Sequence, residues 1–456
     1  MNSELFPLLL ITLLAVGVPF LSSWMRPVIL PIVVGEIIAG IIIGKSGFDL
    51  VRPTEALSFL SEFGFSFLMF LSGLEMNFEQ LLEIRGEGNA SSFLRRPLFL
   101  SGVSFLLTLV LAITIGFILT RHGLARHGLL MGLILSTTSL GIVVPVLKER
   151  GFTMTPYGKV LLLSSLIGDF VTLLLLSLII ALISHGASME LMLTMLLLAV
   201  FVVAVILGQR ARRIPLLSRT IDELSHATAQ IQVRGAFALM VAWVFLAMAM
   251  GVQMILGAFL AGALISLISR GEEQALQEKL EAIGYGFFIP IFFIMVGAGF
   301  DLRALFSSRS ALLLVPILIG ASYLVKIGPT LIFRIVFTWR ETLAGGILLS
   351  SRLSLIIAAA AIALNLSLIS PATNSAVILV AVFTCTLSPV IFSRMVSSPV
   401  EQEREGTIIM GTDQLAVFLG ERLVRTGEQV TFVTGDGQQL ARLRNRKFNV
   451  VLGQPE

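Results

Sequence analysis

Cysteine is nearly missing from this sequence: Cys385 is the one example, and it lies in an apolar run. That excludes a disulfide framework and a cysteine metal site. Histidine is scarce as well. His122, His127, His185 and His226 stand apart near the ends of apolar segments, so no metal centre is readable. The third shortage is charge. Asp, Glu, Lys and Arg make up 13% of the chain, about half of what a soluble domain carries. A protein dispersed in water is therefore excluded, and an enzyme is not expected. The net charge of +4 carries no nucleic-acid signal, because basic residues in so apolar a chain mark loops at a membrane.

Apolar residues fill the place of the missing charges. They are 56% of the chain, and the mean hydropathy is +0.96. About 20 apolar residues in a helix cross the ~30 Å of hydrocarbon in a bilayer. Such stretches place helices at roughly 5–23, 27–45, 56–76, 97–120, 127–148, 156–184, 188–208, 229–250, 252–269, 283–300, 310–336, 340–365 and 372–396. These about thirteen spans predict an all-α membrane domain over residues 1–396. The first run has no basic stretch before Leu5 and no small-residue cleavage pattern after it. It reads as a retained span.

With an odd number of spans the termini lie on opposite faces. If the C-terminus is cytoplasmic, the cytoplasmic loops and span ends hold about sixteen Lys and Arg, among them Arg95, Arg96, Arg210, Arg212 and Arg213. About six are left outside, among them Lys45, Arg52, Arg121 and Arg126. This is the bias of the positive-inside rule, and it predicts an outer N-terminus.

Past Val396 the composition changes. Residues 397–406 are a polar linker, and 407–456 form a partial α/β segment: strand Thr407–Gly411, helix Gln414–Thr426, strand Gln429–Thr434, helix Gln438–Arg446 and strand Phe448–Leu452. A βαβαβ run is the opening of a Rossmann-like domain. Its fingerprint is degraded. Gly411-Thr412-Asp413-Gln414-Leu415-Ala416 keeps only the first glycine of G-x-G-x-x-G. Asp413 puts negative charge where a pyrophosphate approaches, and Thr434 stands where an acid normally binds the ribose. NAD binding is not expected, and no other cofactor is implied.

The membrane part carries a weak internal repeat. Ser72-Gly73-Leu74-Glu75-Met76-Asn77-Phe78 resembles Val296-Gly297-Ala298-Gly299-Phe300-Asp301-Leu302, and Gly132–Thr138 (GLILSTT) lines up with Gly346–Arg352 (GILLSSR). The spans that match are seven apart, so they enter the membrane from opposite sides, as in an inverted repeat. Chance likeness between apolar helices is the competing reading. Such repeats hold their site near the midplane, on broken helices. Ser136-Thr137-Thr138-Ser139, with Pro145 behind it, and Ser350-Ser351-Arg352 are the two candidate breaks.

A charge at span centre costs at least ~2.5–3.5 kcal/mol, so each needs a reason. Asp169 lies within Leu161–Ile183, one turn after Ser165 and next to Gly168. Lys326 lies within Leu312–Ile335. They are opposite charges from different halves of the repeat. One reading is a carboxylate that holds a cation or a proton, with a lysine as its charge partner; the other is a static ion pair that fixes packing. A hard monovalent cation wants oxygens, which Asp169, Ser165, Thr137, Thr138 and freed carbonyls can supply. Arg352 is expected to neutralise helix C-terminal ends at the crossing. Glu36 and Glu75 sit near the interfaces and are expected to be structural.

Six segments together resemble the monovalent cation:proton antiporter-2 family of Na⁺/H⁺ exchangers and K⁺ efflux systems. They are Leu30–Gly44, Phe70–Glu75, Leu135–Glu149, Ile167–Asp169, Leu256–Gly262 and Phe287–Leu302, in order along the membrane domain. The resemblance implies a homodimer and a core domain that moves like an elevator. It also implies crossed broken helices at Thr137–Ser139 and Ser351–Ser354, an ion-binding aspartate at Asp169 and its basic partner at Lys326. Two departures stand out. Gly168 replaces the Asp, Asn or Gln usual before the aspartate, and Leu353-Ser354 replace a glutamate often found after the arginine. The tail resembles the regulatory nucleotide-binding domain of potassium transport systems, which implies a regulatory partner. The function expected is exchange of Na⁺ or K⁺ for H⁺ across a bacterial inner membrane. A gated K⁺ efflux channel-like system, or a carrier of another small solute, is the alternative.

Overall fold

Helix starts show how the apolar segments are cut. The Thr54 hydroxyl accepts the Leu57 N–H, and the Ser370 hydroxyl accepts the Thr373 N–H with Pro371 in the first turn. Thr338 and Glu341 close a reciprocal capping box. Each satisfies backbone donors that the first helical turn leaves unpaired.

The computed structural model describes residues 2–24, 31–75, 96–153, 155–185, 189–211, 230–269, 274–307 and 309–396. In the tail it describes 407–411, 413–425, 430–434, 443 and 448–452. Its helices are α1 (Asn2–Trp24), α2 (Ile32–Ile43), α3 (Glu55–Leu74), α4 (Pro97–Arg121), α5 (Gly128–Ser136), α6 (Leu140–Glu149), α7 (Pro156–His185), α8 (Met189–Ala211), α9 (Ile231–Ala249), α10 (Met254–Ser269), α11 (Gln274–Ile283), α12 (Ile289–Ala298), α13 (Leu302–Ser307), α14 (Arg309–Thr330), α15 (Trp339–Leu349), α16 (Ser354–Asn365) and α17 (Pro371–Met395). Among the described residues, ten segments are long and apolar enough to cross a membrane, and three shorter apolar helices join them. This agrees with the thirteen expected spans. The fifth and twelfth are each split, into α5–α6 and α15–α16. The tenth begins earlier than expected, at Gln274, and passes through one π-helical turn, Gly284–Phe288, into α12. Large apolar side chains on α1, α4, α8 and α9 remain exposed, among them Phe20, Phe117, Leu207 and Phe245, as helices facing lipid require.

The repeat is visible atom by atom. α3 crosses α10 with Gly73 against the Phe259 carbonyl and Gly262 against the Phe70 carbonyl. α2 crosses α12 with Gly297 against the Ile37 carbonyl and Gly40 against the Ile294 carbonyl. The second crossing is the first with the halves exchanged. A Cβ at any of the four glycines would overlap a backbone oxygen, so only glycine permits the approach. The caps repeat too. The Glu75 N–H bonds the Leu71 and Gly73 carbonyls after α3, and the Gly299 N–H bonds the Met295 and Gly297 carbonyls after α12.

These four helices form one packed group. A second group is built on α4 against α14, with α4 packed on α5 and α7 and α14 on α15 and α17. Both broken spans belong to the second group. In the tail, β1 (Thr407–Met410), β2 (Val430–Thr434) and β3 (Asn449–Leu452) pair in parallel in the order β1-β2-β3, and α18 (Gln414–Arg425) covers them. Ile409, Ala416 and Phe432 form the small core there. The expected helix 438–446, apart from Leu443, and the linker 397–406 lie outside the described residues.

Candidate functional site

The first broken span can be followed bond by bond. α5 stops at Ser136, where the Ser136 hydroxyl donates to the Leu133 carbonyl and Thr137 Oγ1 to the Ile134 carbonyl. Hydroxyls that fold back on their own helix compete with its continuation. Thr137 and Ser139 are then extended, and α6 starts at Leu140. In an unbroken helix the Leu140 N–H would bond the Ser136 carbonyl. Here the two are separated and each meets an opposite charge. Asp169 Oδ2 accepts the Leu140 N–H at 2.8 Å, and Lys326 Nζ donates to the Ser136 carbonyl at 2.8 Å. A carboxylate thus faces a helix N-terminus and an ammonium faces a helix C-terminus, the favourable sign for both dipoles. Lys326 Nζ also donates to Thr138 Oγ1 at 2.6 Å.

Two expectations are corrected. Among the described residues no ion pair joins Asp169 to Lys326; each is tied to one end of the break. Nor does Arg352 neutralise helix C-termini. It is fully buried, and its guanidinium donates to Ser322 Oγ and to the Ser322 carbonyl, both at 3.0 Å. Lys326 takes the helix-end role, because α14 carries it to the mouth of α5.

Asp169 keeps one oxygen in reserve. Its Oδ1 is buried and bonds to nothing among the described residues. Beside it is a cavity of about 10 Å³ lined by Met69, Ser72, Asp169, Phe259, Ser354 and Leu355, room for about one water-sized body. Ser354 is the first residue of α16, so the second broken span reaches this cavity as well.

A family model described as sodium/hydrogen exchanger, transmembrane, matches residues 9–398. The chain belongs to that family. Among relatives, YjbQ of Bacillus subtilis, provisionally named a Na(+)/H(+) antiporter, is 38% identical over 85% of this chain. The Na(+)/H(+)-K(+) antiporter GerN of Bacillus cereus is 28% identical over 59% of it. The chain spans 63% of the length of YjbQ and 65% of that of GerN. The sodium proton antiporter MjNhaP1 of Methanocaldococcus jannaschii has the same fold, with a TM-score of 0.54 at 16% identity over 84% of this chain and 94% of that one.

In this member of the family the expected site residues divide. Asp169, Thr138 and Lys326 come together at the first break, along with Ser139, which precedes α6. Thr137 and Ser165 do not line the cavity; their hydroxyls bond the Ile134 and Leu162 carbonyls of their own helices. Ser351 and Arg352 form the second break, and the buried Ser351 Oγ and Arg352 Nε have no partner among the described residues. The cavity also has walls that sequence reasoning missed: Met69 and Ser72 on α3, Phe259 on α10 and Ser354 on α16. Three of the four fall in or beside segments that carried the family resemblance, Phe70–Glu75 and Leu256–Gly262. Gly168 abuts the break, since a Cβ there would lie 3.1 Å from Thr138 Oγ1.

In the tail, Gly411 has φ +112°, a conformation suited to glycine. Asp413 Oδ1 accepts the Ala416 N–H at 3.0 Å at the start of α18. The carboxylate thus occupies a helix N-terminal donor of the kind that holds phosphate in dinucleotide sites.

Proposed function

We propose that the chain is a secondary antiporter that exchanges Na⁺ or K⁺ for H⁺, with Asp169 holding either the cation or the proton. The observation that carries this reading is the buried, unpartnered Oδ1 facing a cavity for one small body. A buried carboxylate oxygen without a partner is unfavourable until a proton or a cation satisfies it. Because the two compete for one carboxylate, each cation bound displaces one proton. Ser72 and Ser354 line the same cavity and would contribute oxygens.

Lys326 supports a one-for-one, electrically silent cycle. Its ammonium is already satisfied by the Ser136 carbonyl and Thr138 Oγ1, so cation arrival at Asp169 need not strip it of partners or of its proton. The two packed helix groups supply the alternating access. The group with both breaks carries the site, and its sliding past the group of α2, α3, α10 and α12 would expose Asp169 to either face, as in an elevator. We place the protein as a homodimer in a bacterial inner membrane, N-terminus outside. The tail acts as a regulatory segment for a further partner and does not bind dinucleotide, since Asp413 repels phosphate.

The test is exchange in proteoliposomes. A Na⁺ or K⁺ gradient should drive a pH change with the wild type. Asp169→Asn should lose it at least ~100-fold while eluting as the same dimer. Full activity of that variant would overturn the role of Asp169, and a rate that follows an imposed membrane potential would rule out the silent cycle. Micromolar NAD binding to the full-length protein, measured by calorimetry, would overturn the reading of the tail.

A further inference from the structure

A larger cavity, about 410 Å³, opens between the two helix groups. Glu62, Gln253, Asn365 and Asn374 line it along with Phe65 and Phe292. It stands one helical turn from the cavity at Asp169 on three separate helices. On α3 it reaches Phe65, and Met69 lies below. On α10 it reaches Ile255, and Phe259 lies below. On α16 it reaches Ala358, and Leu355 lies below. It is therefore a vestibule that stops at a floor of Met69, Phe259 and Leu355. Glu62 is its one charged lining residue among those described, and it is exposed about two turns into α3, on the half that begins at Glu55. The charge bias of the loops puts that end of α3 outside.

The repeat says what the vestibule on the other face would contain. Exchanging the halves turns Phe292, Met295, Val296 and Gly299 of the present wall into Leu68, Leu71, Ser72 and Glu75, in the register set by Gly73 and Gly297. The place of Gly299, just past the end of α12, is taken by Glu75, just past the end of α3, with the same pair of cap bonds. Glu75 is half-buried here, as expected while its vestibule is shut. Glu62, two turns into α3, and Glu75, just past its end, thus flank the Asp169 cavity on either side of Met69 and Ser72, roughly 20 Å apart.

We propose that Glu62 and Glu75 are sided cation collectors: Glu62 concentrates the transported cation in the outer vestibule, and Glu75 does so in the inner one. This rests on the antiport reading above and adds to it a residue for each face. A single carboxylate in a cleft with low-dielectric walls raises the local cation concentration and so lowers KM for that face. Both are positioning residues, since neither lines the cavity at Asp169.

The experiment measures Na⁺-driven exchange by the full-length protein in right-side-out and everted membrane vesicles at low ionic strength. Glu62→Gln should raise KM about threefold for Na⁺ offered from outside and leave KM from inside unchanged, and Glu75→Gln should do the reverse. The differences should shrink when an inert salt screens the charges. Glu62→Asp and Glu75→Asp should retain near-normal KM values, which separates lost charge from lost structure. Ala361→Cys should react from outside with a charged thiol reagent, over a low background because Cys385 is buried. KM shifts equal on both faces, a shift in Vmax alone, or no shift would overturn the proposal. Absence of exchange in the wild type would instead overturn the antiport reading beneath it.

Discussion

The two broken spans descend from matching stretches of sequence, yet their charges are used differently. At the first, one helical hydrogen bond is split: its acceptor, the Ser136 carbonyl, goes to Lys326, and its donor, the Leu140 N–H, goes to Asp169. Both charges bond the break itself. At the second, Arg352 turns away and bonds Ser322 on α14, one turn before Lys326. Its guanidinium is held on α14 and, among the described residues, bonds neither end of its own break. The comparison teaches that matching breaks can divide the work. One holds Asp169, the group proposed to exchange its proton, and the other supplies one wall of the cavity through Ser354.

The largest effect that would test this division is in stability. Lys326→Met removes the donor from a helix-end carbonyl that has no other partner in its helix, at about 1–3 kcal/mol for each buried group orphaned. Arg352→Met removes a bond to a carbonyl within the continuous helix α14, where the intrahelical bond survives. Lys326→Met should therefore melt well below Arg352→Met when both are followed in detergent by fluorescence-detected size exclusion. Equal losses would mean that the breaks are not energetically distinct.

A smaller effect tests the symmetry on which the comparison stands. Gly262→Ala and Gly40→Ala put a methyl group against equivalent carbonyls, Phe70 and Ile294. Each should destabilise by about 1–3 kcal/mol through overpacking, and by similar amounts in thermal melts. A large loss at one and none at the other would break the equivalence of the two crossings.

The smallest effect sharpens the first break. Gly168→Asp brings a second carboxylate beside Thr138, whose hydroxyl lies 3.1 Å from the position of the new Cβ. Small adjustments of the Thr138 rotamer accommodate it. With two titratable carboxylates, exchange should respond to an imposed membrane potential where the wild type does not. A variant that remains active and insensitive to potential would show that position 168 does not set the charge moved per cycle.

Much of this could be read without coordinates, for a definable reason. Crossing a bilayer is a local, additive property of about 20 residues, so the ten long segments and three shorter apolar helices among the described residues could be counted. A run of four hydroxyl residues followed by Pro145 marks a helix that cannot continue smoothly, so the first break was placed within a residue. Mid-span charge is costly wherever it occurs, which singled out Asp169, Lys326 and Arg352. The sequence by itself determined the spans, the breaks and the residues that had to be explained.

Only the tertiary structure decided which partner each charge takes. Asp169 and Lys326 have opposite signs, and from sequence a direct pair is the natural reading. Whether they meet depends on how α7 and α14 lie against α5 within ~3 Å, and hydrogen bonds lose their hold beyond that distance. The packing sets them on opposite ends of one split hydrogen bond. Ser165 and Thr137, plausible ligands by spacing, instead bond their own helices. Met69, Ser72 and Phe259 enter the cavity because four glycines bring α3 to α10 and α2 to α12 in backbone contact. Such contacts join residues far apart in the chain. No local pattern encodes them, because they depend on the shape of both surfaces at once.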